Sequence, residues 1–476
     1  LPFKEFWLLI YYLLLTAVYL RVLYKRRTVS ASLAWLLVIF IVPVVGIIAY
    51  IAFGEIQLGS RRAQNAARLR EPFIENLQQN LRQHAGPPPK DNAAAAVYAL
   101  IHNAQSIGSI GYNDFSVISE PDEIFEQWLA DIGQAQSSIR LEFYIWHPFG
   151  RVLAINQALI DAAQRGVKVE LLADHAGSWR FFLMGKELKR MRDAGIEIVA
   201  CLPVSLWRNV FRRVDIRMHR KILVIDHRIC YSGSMNMADP DYFNQGRQVG
   251  SWIDMVMRFE GAAAFAVSKV FSWDWEVETS ERRFPDIESE LEPAEQWMSI
   301  IPSGPQMTPD IAAQVLLSAI YRADKSIRIT TPYFVPSEAI YDALIQAARR
   351  GVHVQILLPA KGDSRMATWA SRSYYEGLLD AGVEIRHFHS GLLHTKALLV
   401  DEKLAVVGSV NLDMRSLQLN FELSFAIWHR PACKELSSLL QKYQSQSTEV
   451  SNKQWQQRST LHRLAERLMY FMSPLL

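Results

Sequence analysis

The chain repeats itself, and that constrains its fold more than any other feature of the sequence. "DAAQRGVKVELL" (161–172) returns as "QAARRGVHVQILL" (346–358), "MRDAGIEIV" (191–199) as "LLDAGVEIR" (378–386), and "SSIRLEFYIWHP" (137–148) as "KSIRITTPYFVP" (325–336). The first two pairs each read as a helix end, a glycine cap and a buried strand. The matches keep their order at an offset of roughly 185 residues, and a period that long means duplicated domains, not a solenoid. Strands alternate with amphipathic helices throughout. The expected class is therefore α/β, two tandem α/β/α sandwich domains related by pseudo-twofold symmetry.

The acidic stretch over 281–296 is the natural seam, with a first domain at 97–280 and a second at 297–450. Ahead of them, 55–96 reads as a basic helical neck closed by the stiff linker "AGPPPK". Behind them, 451–476 reads as an amphipathic helix, with Leu461, Leu464, Leu468, Phe471 and Leu475 at helical spacing. The first repeat carries twelve extra residues within "CLPVSLWRNVFRRVDIR" (201–217). Its mixture of Trp207, Arg208, Phe211, Arg212 and Arg213 suits a membrane interface or a phospholipid headgroup, and equally an ordinary surface helix.

Residues 1–54 differ from the rest. Phe6 to Tyr24 is apolar except for Arg21, and 31–53 holds no charge over 23 residues, enough at helical rise to cross about 30 Å of hydrocarbon. Pro43 and Gly46 interrupt the second run, which membrane helices tolerate. No small-residue cleavage site follows the first run, so two transmembrane helices are expected. Orientation stays open, because Lys25, Arg26 and Arg27 in the loop oppose Arg61, Arg62, Arg68 and Arg70 after the second run. A formal charge of only +3 argues against a broad nucleic-acid-binding surface. Cys201, Cys230 and Cys433 are too few and too scattered for a disulfide framework or a zinc site, and read as buried thiols.

The chemistry lies in one pair of motifs. "HRKILVID" (219–226) corresponds to "HTKALLVD" (394–401), and each is followed by a Gly-Ser turn ending in asparagine, "GSMN" (233–236) and "GSVN" (408–411). In both halves the histidine precedes the glycine by fourteen residues. On a strand, His219 and Lys221 share a face, as do His394 and Lys396. A buried lysine stays cationic only opposite an anion, and phosphate fits. Asn236 and Asn411, with the small residues Ser234 and Ser409, would bind it too.

Asp226 and Asp401 complete the catalytic-looking motif of His219, Lys221, His394 and Lys396, yet stand seven residues beyond their histidines. They are expected to brace the scaffold, while Asp254 and Glu422, each opening a later apolar strand, orient the imidazoles and fix their tautomers. Two histidines in duplicated halves suggest one joint site, where one attacks phosphorus and the other protonates the departing oxygen.

Paired HxKx4D motifs of this kind resemble the phospholipase D superfamily. "RRVDIRMHRK", "YSGSMNMADPDYF", "TTPYFVPS", "GLLHTKALLVD", "VNLDMRSLQLNFE" and the terminal "SPLL" resemble, more narrowly, the bacterial cardiolipin synthases of the A type. The resemblance implies two phospholipase D-like domains and a two-step phosphatidyl transfer, with phosphatidylglycerol as donor and acceptor and no cofactor or metal. It implies His219 as nucleophile and His394 as general acid, then base, although the near symmetry of the motifs leaves that order open. Lys221, Lys396, Asn236 and Asn411 would hold the phosphoryl oxygens as charge builds. It also implies a multi-pass protein of a bacterial inner membrane, in contact with membrane lipids and not nucleic acid. The buried cysteines and the arginines after the second run favour a cytoplasmic catalytic domain. A homo-oligomer, hydrolysis by water in the manner of a phospholipase D, and a catalytically dead scaffold are the alternatives left open.

Overall fold

The computed structural model describes residues 3–25, 29–55, 60–204, 213, 215–281, 293–294 and 296–470. They fall into two compact units: 1–63 with 204–216, and 64–203 with 217–476. Most of the acidic seam, and Trp207, Arg208, Phe211 and Arg212 of the aromatic-basic insert, lie outside the described residues.

The larger unit is built twice over. Its first half contributes β1 (Ile110–Ile118), β2 (Ser138–Phe143), β3 (Lys168–Asp174), β4 (Glu197–Cys201), β5 (Lys221–Ile225), β6 (Ile229–Gly233), β7 (Trp252–Ile253) and β8 (Val256–Glu260). The second contributes β9 (Gln296–Ser303), β10 (Ser326–Thr330), β11 (Phe334–Val335), β12 (His353–Pro359), β13 (Glu384–Phe388), β14 (Leu392–Leu393), β15 (Ala397–Val400), β16 (Leu404–Gly408), β17 (Leu412–Asp413), β18 (Glu422–Ile427) and β19 (Ser447–Glu449).

Fifteen of these strands form one sheet, in the order β4-β3-β2-β5-β6-β8-β1-β9-β18-β16-β15-β10-β12-β13-β19. Apart from β19, the order is a palindrome about the β1–β9 pair. That central pair is antiparallel, with Ile110 opposite Met298 and Tyr112 opposite Gln296. An antiparallel seam between two like halves is what a twofold axis through the sheet requires.

The motif strands β5, β15, β16 and β18 are buried along their full length, which explains their apolar runs. Gly166 and Gly351 close the helices before β3 and β12 at φ +92° and +90°, a region costly for any residue with a Cβ. All three cysteines are buried. The helix Ala262–Thr279 is buried almost end to end and packs across β1, β5 and β6. The helix Asn92–Gln105 runs across the expected boundary between 96 and 97 and packs on Ile311–Tyr321 of the second repeat. Its Gln105 Nε2 donates to the Pro302 carbonyl at 2.7 Å. The C-terminal helix Thr460–Tyr470 docks on Arg365–Ser373, with His462 stacked on Trp369 at 6.1 Å and Glu466 buried against Arg458 at 2.5 Å. Leu461 and Leu464 point outward, 75% and 58% exposed.

The smaller unit departs from expectation. One helix among the described residues, Lys4–Tyr24, is long and apolar enough to cross a membrane. The expected second span is two helices, Val29–Ile41 and Pro43–Phe53. Pro43 has no amide to donate and excludes helical backbone at Val42, which sits at φ −131°, ψ 74°. At 13 and 11 residues, the pieces are about 20 and 16 Å long.

Candidate active site

The short segments that lead into the motif strands are stitched across the two halves. Met218 bridges Phe421, and the His219 amide donates to the Phe421 carbonyl at 2.8 Å. In the matching place β14 pairs in parallel with β7, and the His394 amide donates to the Ile253 carbonyl at 2.8 Å. Each histidine is therefore carried beside the residue that precedes the acidic strand of the other repeat.

The side chains follow the backbone. His219 Nδ1 lies 2.9 Å from both carboxylate oxygens of Glu422, and His394 Nδ1 lies 2.6 Å from Asp254 Oδ1. The pairing is crossed: the second repeat supplies the carboxylate for the first histidine, and the first repeat supplies it for the second. Nε2 of neither ring has a hydrogen-bond partner among the described residues. A carboxylate at Nδ1 fixes the proton there and leaves the Nε2 lone pair for an electrophile. The field of Lys396 reaches His219 and that of Lys221 reaches His394, as a single site demands.

Ser234 and Ser409, expected beside the phosphate, turn their hydroxyls to the orienting carboxylates. The Ser234 hydroxyl donates to Asp254 Oδ1 at 2.6 Å and accepts the Met255 amide at 3.0 Å. The Ser409 hydroxyl donates to Glu422 Oε2 at 2.5 Å and accepts the Leu423 amide at 2.9 Å. With its proton and an acceptor position spent, each serine is tied to a carboxylate. The preceding glycines are needed for that fit. A Cβ on Gly233 would lie 2.4 Å from the Met255 carbonyl oxygen, and one on Gly408 would lie 2.2 Å from that of Leu423.

Asp226 and Asp401 sit at the far ends of their strands, away from both histidines, so grouping them with the catalytic residues does not fit the geometry. Asp226 accepts the amides of Gln136, Ser137 and Ser138 at 2.7–2.9 Å, and Asp401 accepts those of Asp324, Lys325 and Ser326 at 2.7–2.9 Å. Both open tight turns at φ 51°, a conformation aspartate tolerates better than most residues. Each ties the β5–β6 or β15–β16 hairpin to the start of the neighbouring strand. The four-residue spacer between lysine and aspartate is the length of the intervening strand.

Two whole-chain relatives and two family matches bear on this site. Residues 128–275 and 316–444 match the family described as cardiolipin synthase, PLD-like domain, and residues 8–55 match phospholipase D-nuclease N-terminal. Cardiolipin synthase A of Pectobacterium carotovorum subsp. carotovorum (strain PC1) is 43% identical over 99% of this chain and 98% of its own. That of Shigella flexneri is 44% identical over the same shares. The chain belongs to the cardiolipin synthase family of the phospholipase D superfamily. A crystal structure of phosphatidylserine synthase from Haemophilus influenzae Rd KW20 shares the fold, with a TM-score of 0.57 at 13% identity, covering 80% of this chain and 98% of that one.

Within this family's paired motif, burial sets the charge state. It holds His219 down to about 4 and His394 to about 3, against the opposing pull of Glu422 and Asp254, so both rings are neutral near pH 7. Burial pushes Asp254 up, but His394, Lys396 and Ser234 outweigh it and keep the carboxylate ionised. Burial also lowers Lys221 to about 8 and Lys396 to about 7, partly offset by Glu422 and Asp254. Lys221 Nζ donates to the His219 carbonyl at 2.6 Å and Lys396 Nζ to that of His394 at 2.5 Å. Each ammonium is anchored by one proton with two left over. Asn236 Oδ1 accepts the Ile145 amide at 3.2 Å, which leaves its NH2 group to donate; Asn411 Oδ1 is buried with no hydrogen-bond partner in the described residues.

Sequence reasoning missed several supporting residues. Buried Arg220, paired with Asp274, donates from Nε to the Glu422 carbonyl at 3.1 Å and so fixes the orienting strand. Asp174 accepts the Met218 amide at 3.0 Å. The two rings also have different aromatic neighbours, Tyr144 edge-on to His219 at 5.0 Å and Trp252 against His394 at 4.3 Å. A charged residue inside an apolar strand, as in "HRKILV", was the one signal that could have flagged Arg220.

Proposed function

We propose that this protein makes cardiolipin from two phosphatidylglycerol molecules, with glycerol as the other product. The observation that carries the reading is the crossed pair of Ser–carboxylate–His chains, which leaves the Nε2 atoms of two buried imidazoles without a hydrogen-bond partner among the described residues. The family's full-length relatives named cardiolipin synthase A support the choice of reaction.

In the first step His219 Nε2 attacks phosphorus of the donor. An N–P bond forms, the P–O bond to glycerol breaks, and glycerol leaves with a proton from His394. The bound phosphodiester anion raises the proton affinity of His394, which lets it serve as acid. In the second step a headgroup hydroxyl of another phosphatidylglycerol gives its proton to His394 and attacks phosphorus. The new P–O bond forms as the N–P bond breaks. The remaining protons of Lys221 and Lys396, with the amides of Asn236 and Asn411, stabilise the equatorial oxygens in each step. Glu422 and Asp254 stabilise the charge that each imidazole acquires. The hydrocarbon-facing N-terminal unit supports attachment to a bacterial inner membrane, with catalysis at its cytoplasmic face. Val204, Arg213, Asp215 and Ile216, the described ends of the aromatic-basic insert, group with the apolar helices, which supports an interfacial role for it.

Supplying purified protein with phosphatidylglycerol alone tests this. Cardiolipin and glycerol in equal amounts are expected, and phosphatidic acid as the sole lipid product would mean a hydrolase instead.

A further inference from the structure

We infer that residues 29–53 form a re-entrant helical hairpin that enters and leaves the membrane on one face, so that the described residues 3–55 cross the bilayer once. This goes beyond the proposed reaction and concerns the smaller unit alone.

Four observations carry it. First, the chain breaks at Val42–Pro43, and neither piece reaches the roughly 30 Å of a hydrocarbon core. Second, the pieces fold back on each other. Trp35 meets Tyr50 edge-on at 5.4 Å between centroids, where a continuous helix would hold residues fifteen apart about 22 Å from each other. A Cβ on Gly46 would stand 2.7 Å from the Ile39 Cα, a backbone contact that only glycine permits.

Third, both ends of the hairpin lie at one end of the first helix. Arg21 donates to Glu55 through Nε at 2.5 Å and Nη2 at 2.9 Å, Lys25 Nζ lies 3.9 Å from the same carboxylate, and Tyr50 donates to it at 3.1 Å. Had 29–53 crossed the membrane, Glu55 would sit near residue 4, about 30 Å from Arg21. Instead the hairpin packs beside the last turns of the first helix, where Val18 and Val22 meet Ile39, Ile47 and Tyr50. Fourth, the outward faces are hydrocarbon, including Leu33, Leu37, Phe40, Ile41, Val44, Val45 and Ile48.

The hairpin also removes a conflict in the charges. With two spans, Lys25, Arg26 and Arg27 would lie opposite Arg61, Arg62, Arg68 and Arg70. With a hairpin, Lys25 and Arg62 lie on one face, and the rule that basic flanks stay inside makes that face cytoplasmic. The helix Ser60–Leu81 that follows is far too polar to cross, so the catalytic unit stays on that side.

Single-cysteine labelling with a membrane-impermeant maleimide tests the inference in the full-length protein, whose own cysteines are buried. Tyr24→Cys and Gln64→Cys should both label only in inside-out vesicles, Lys4→Cys only in intact spheroplasts, and Val44→Cys only after detergent. Labelling of Tyr24→Cys and Gln64→Cys from opposite faces would overturn the hairpin. Labelling of both only from outside would overturn the cytoplasmic assignment. As a second reading, a short bis-maleimide should join Arg21→Cys to Glu55→Cys within one chain; failure to do so in protein that still makes cardiolipin would also overturn it.

Discussion

Glu422→Gln probes the crossed pairing at its most exposed point. The substitution keeps the shape of the side chain but removes the anion that faces His219 Nδ1 through two oxygens at 2.9 Å. It also places an NH2 group against the imidazole proton or against the Ser409 hydroxyl, whose Oγ lies 2.5 Å from Oε2. One charge-assisted hydrogen bond is worth about 1.5–3 kcal/mol. In the transition state the same carboxylate also stabilises the forming imidazolium, so the combined loss should be about 3–5 kcal/mol, or roughly 10²- to 10⁴-fold in kcat. Substrate contacts are untouched, so KM should change little. The assay is cardiolipin formation from phosphatidylglycerol in detergent micelles, with circular dichroism to confirm that the variant is folded. A loss of less than tenfold in folded protein would refute the orienting role, and a loss confined to KM would move Glu422 into substrate binding.

Three further outcomes follow from the same geometry. Ser409→Ala removes a single hydrogen bond to a buried carboxylate, about 1–2 kcal/mol, so kcat should fall roughly five- to thirtyfold with KM unchanged; a raised KM alone would restore the serine to phosphate binding. Asp226→Ala strips three amides of their acceptor and should destabilise the protein by about 1–3 kcal/mol in denaturant titration, while activity per folded molecule stays near wild type. Because burial sets Lys396 at about 7 and Lys221 at about 8, the cationic forms needed for substrate are lost as pH rises through that range. The kcat/KM profile should therefore fall above about pH 7–8, and a limb near the ordinary lysine value would contradict this.

What could be read in the sequence, and what could not, divides along one physical line. The duplicated domains, the motif strands and the face shared by His219 and Lys221 all follow from local period and burial, which a sequence displays directly. The bracing role of Asp226 followed from the same counting, since an odd separation puts it on the other face. Asp254 and Glu422 were legible as orienting candidates. Their crossed assignment was not, because it arises from backbone pairing between segments some 200 residues apart, such as Met218 with Phe421. The bonds from Ser234 and Ser409 to the carboxylates were not legible, because a Gly-Ser turn near a phosphate site also suits a second task, holding a carboxylate. For residues 29–53, composition reports apolarity and length but not the break at Pro43, which the helix bounds, the Trp35–Tyr50 contact and the Arg21–Glu55 ion pair show.

The most direct test of the account is to look for the covalent intermediate. Wild-type and His394→Ala protein, exposed to phosphatidylglycerol, then quenched in denaturant and digested at mildly alkaline pH, should yield a peptide carrying a phosphatidyl group on His219. In the variant, which lacks the acid of the first step as well as the base of the second, the adduct should form more slowly and persist longer. The same adduct on His394 would reverse the two roles. Absence of any adduct on either histidine in protein turning over normally would contradict the mechanism at its centre.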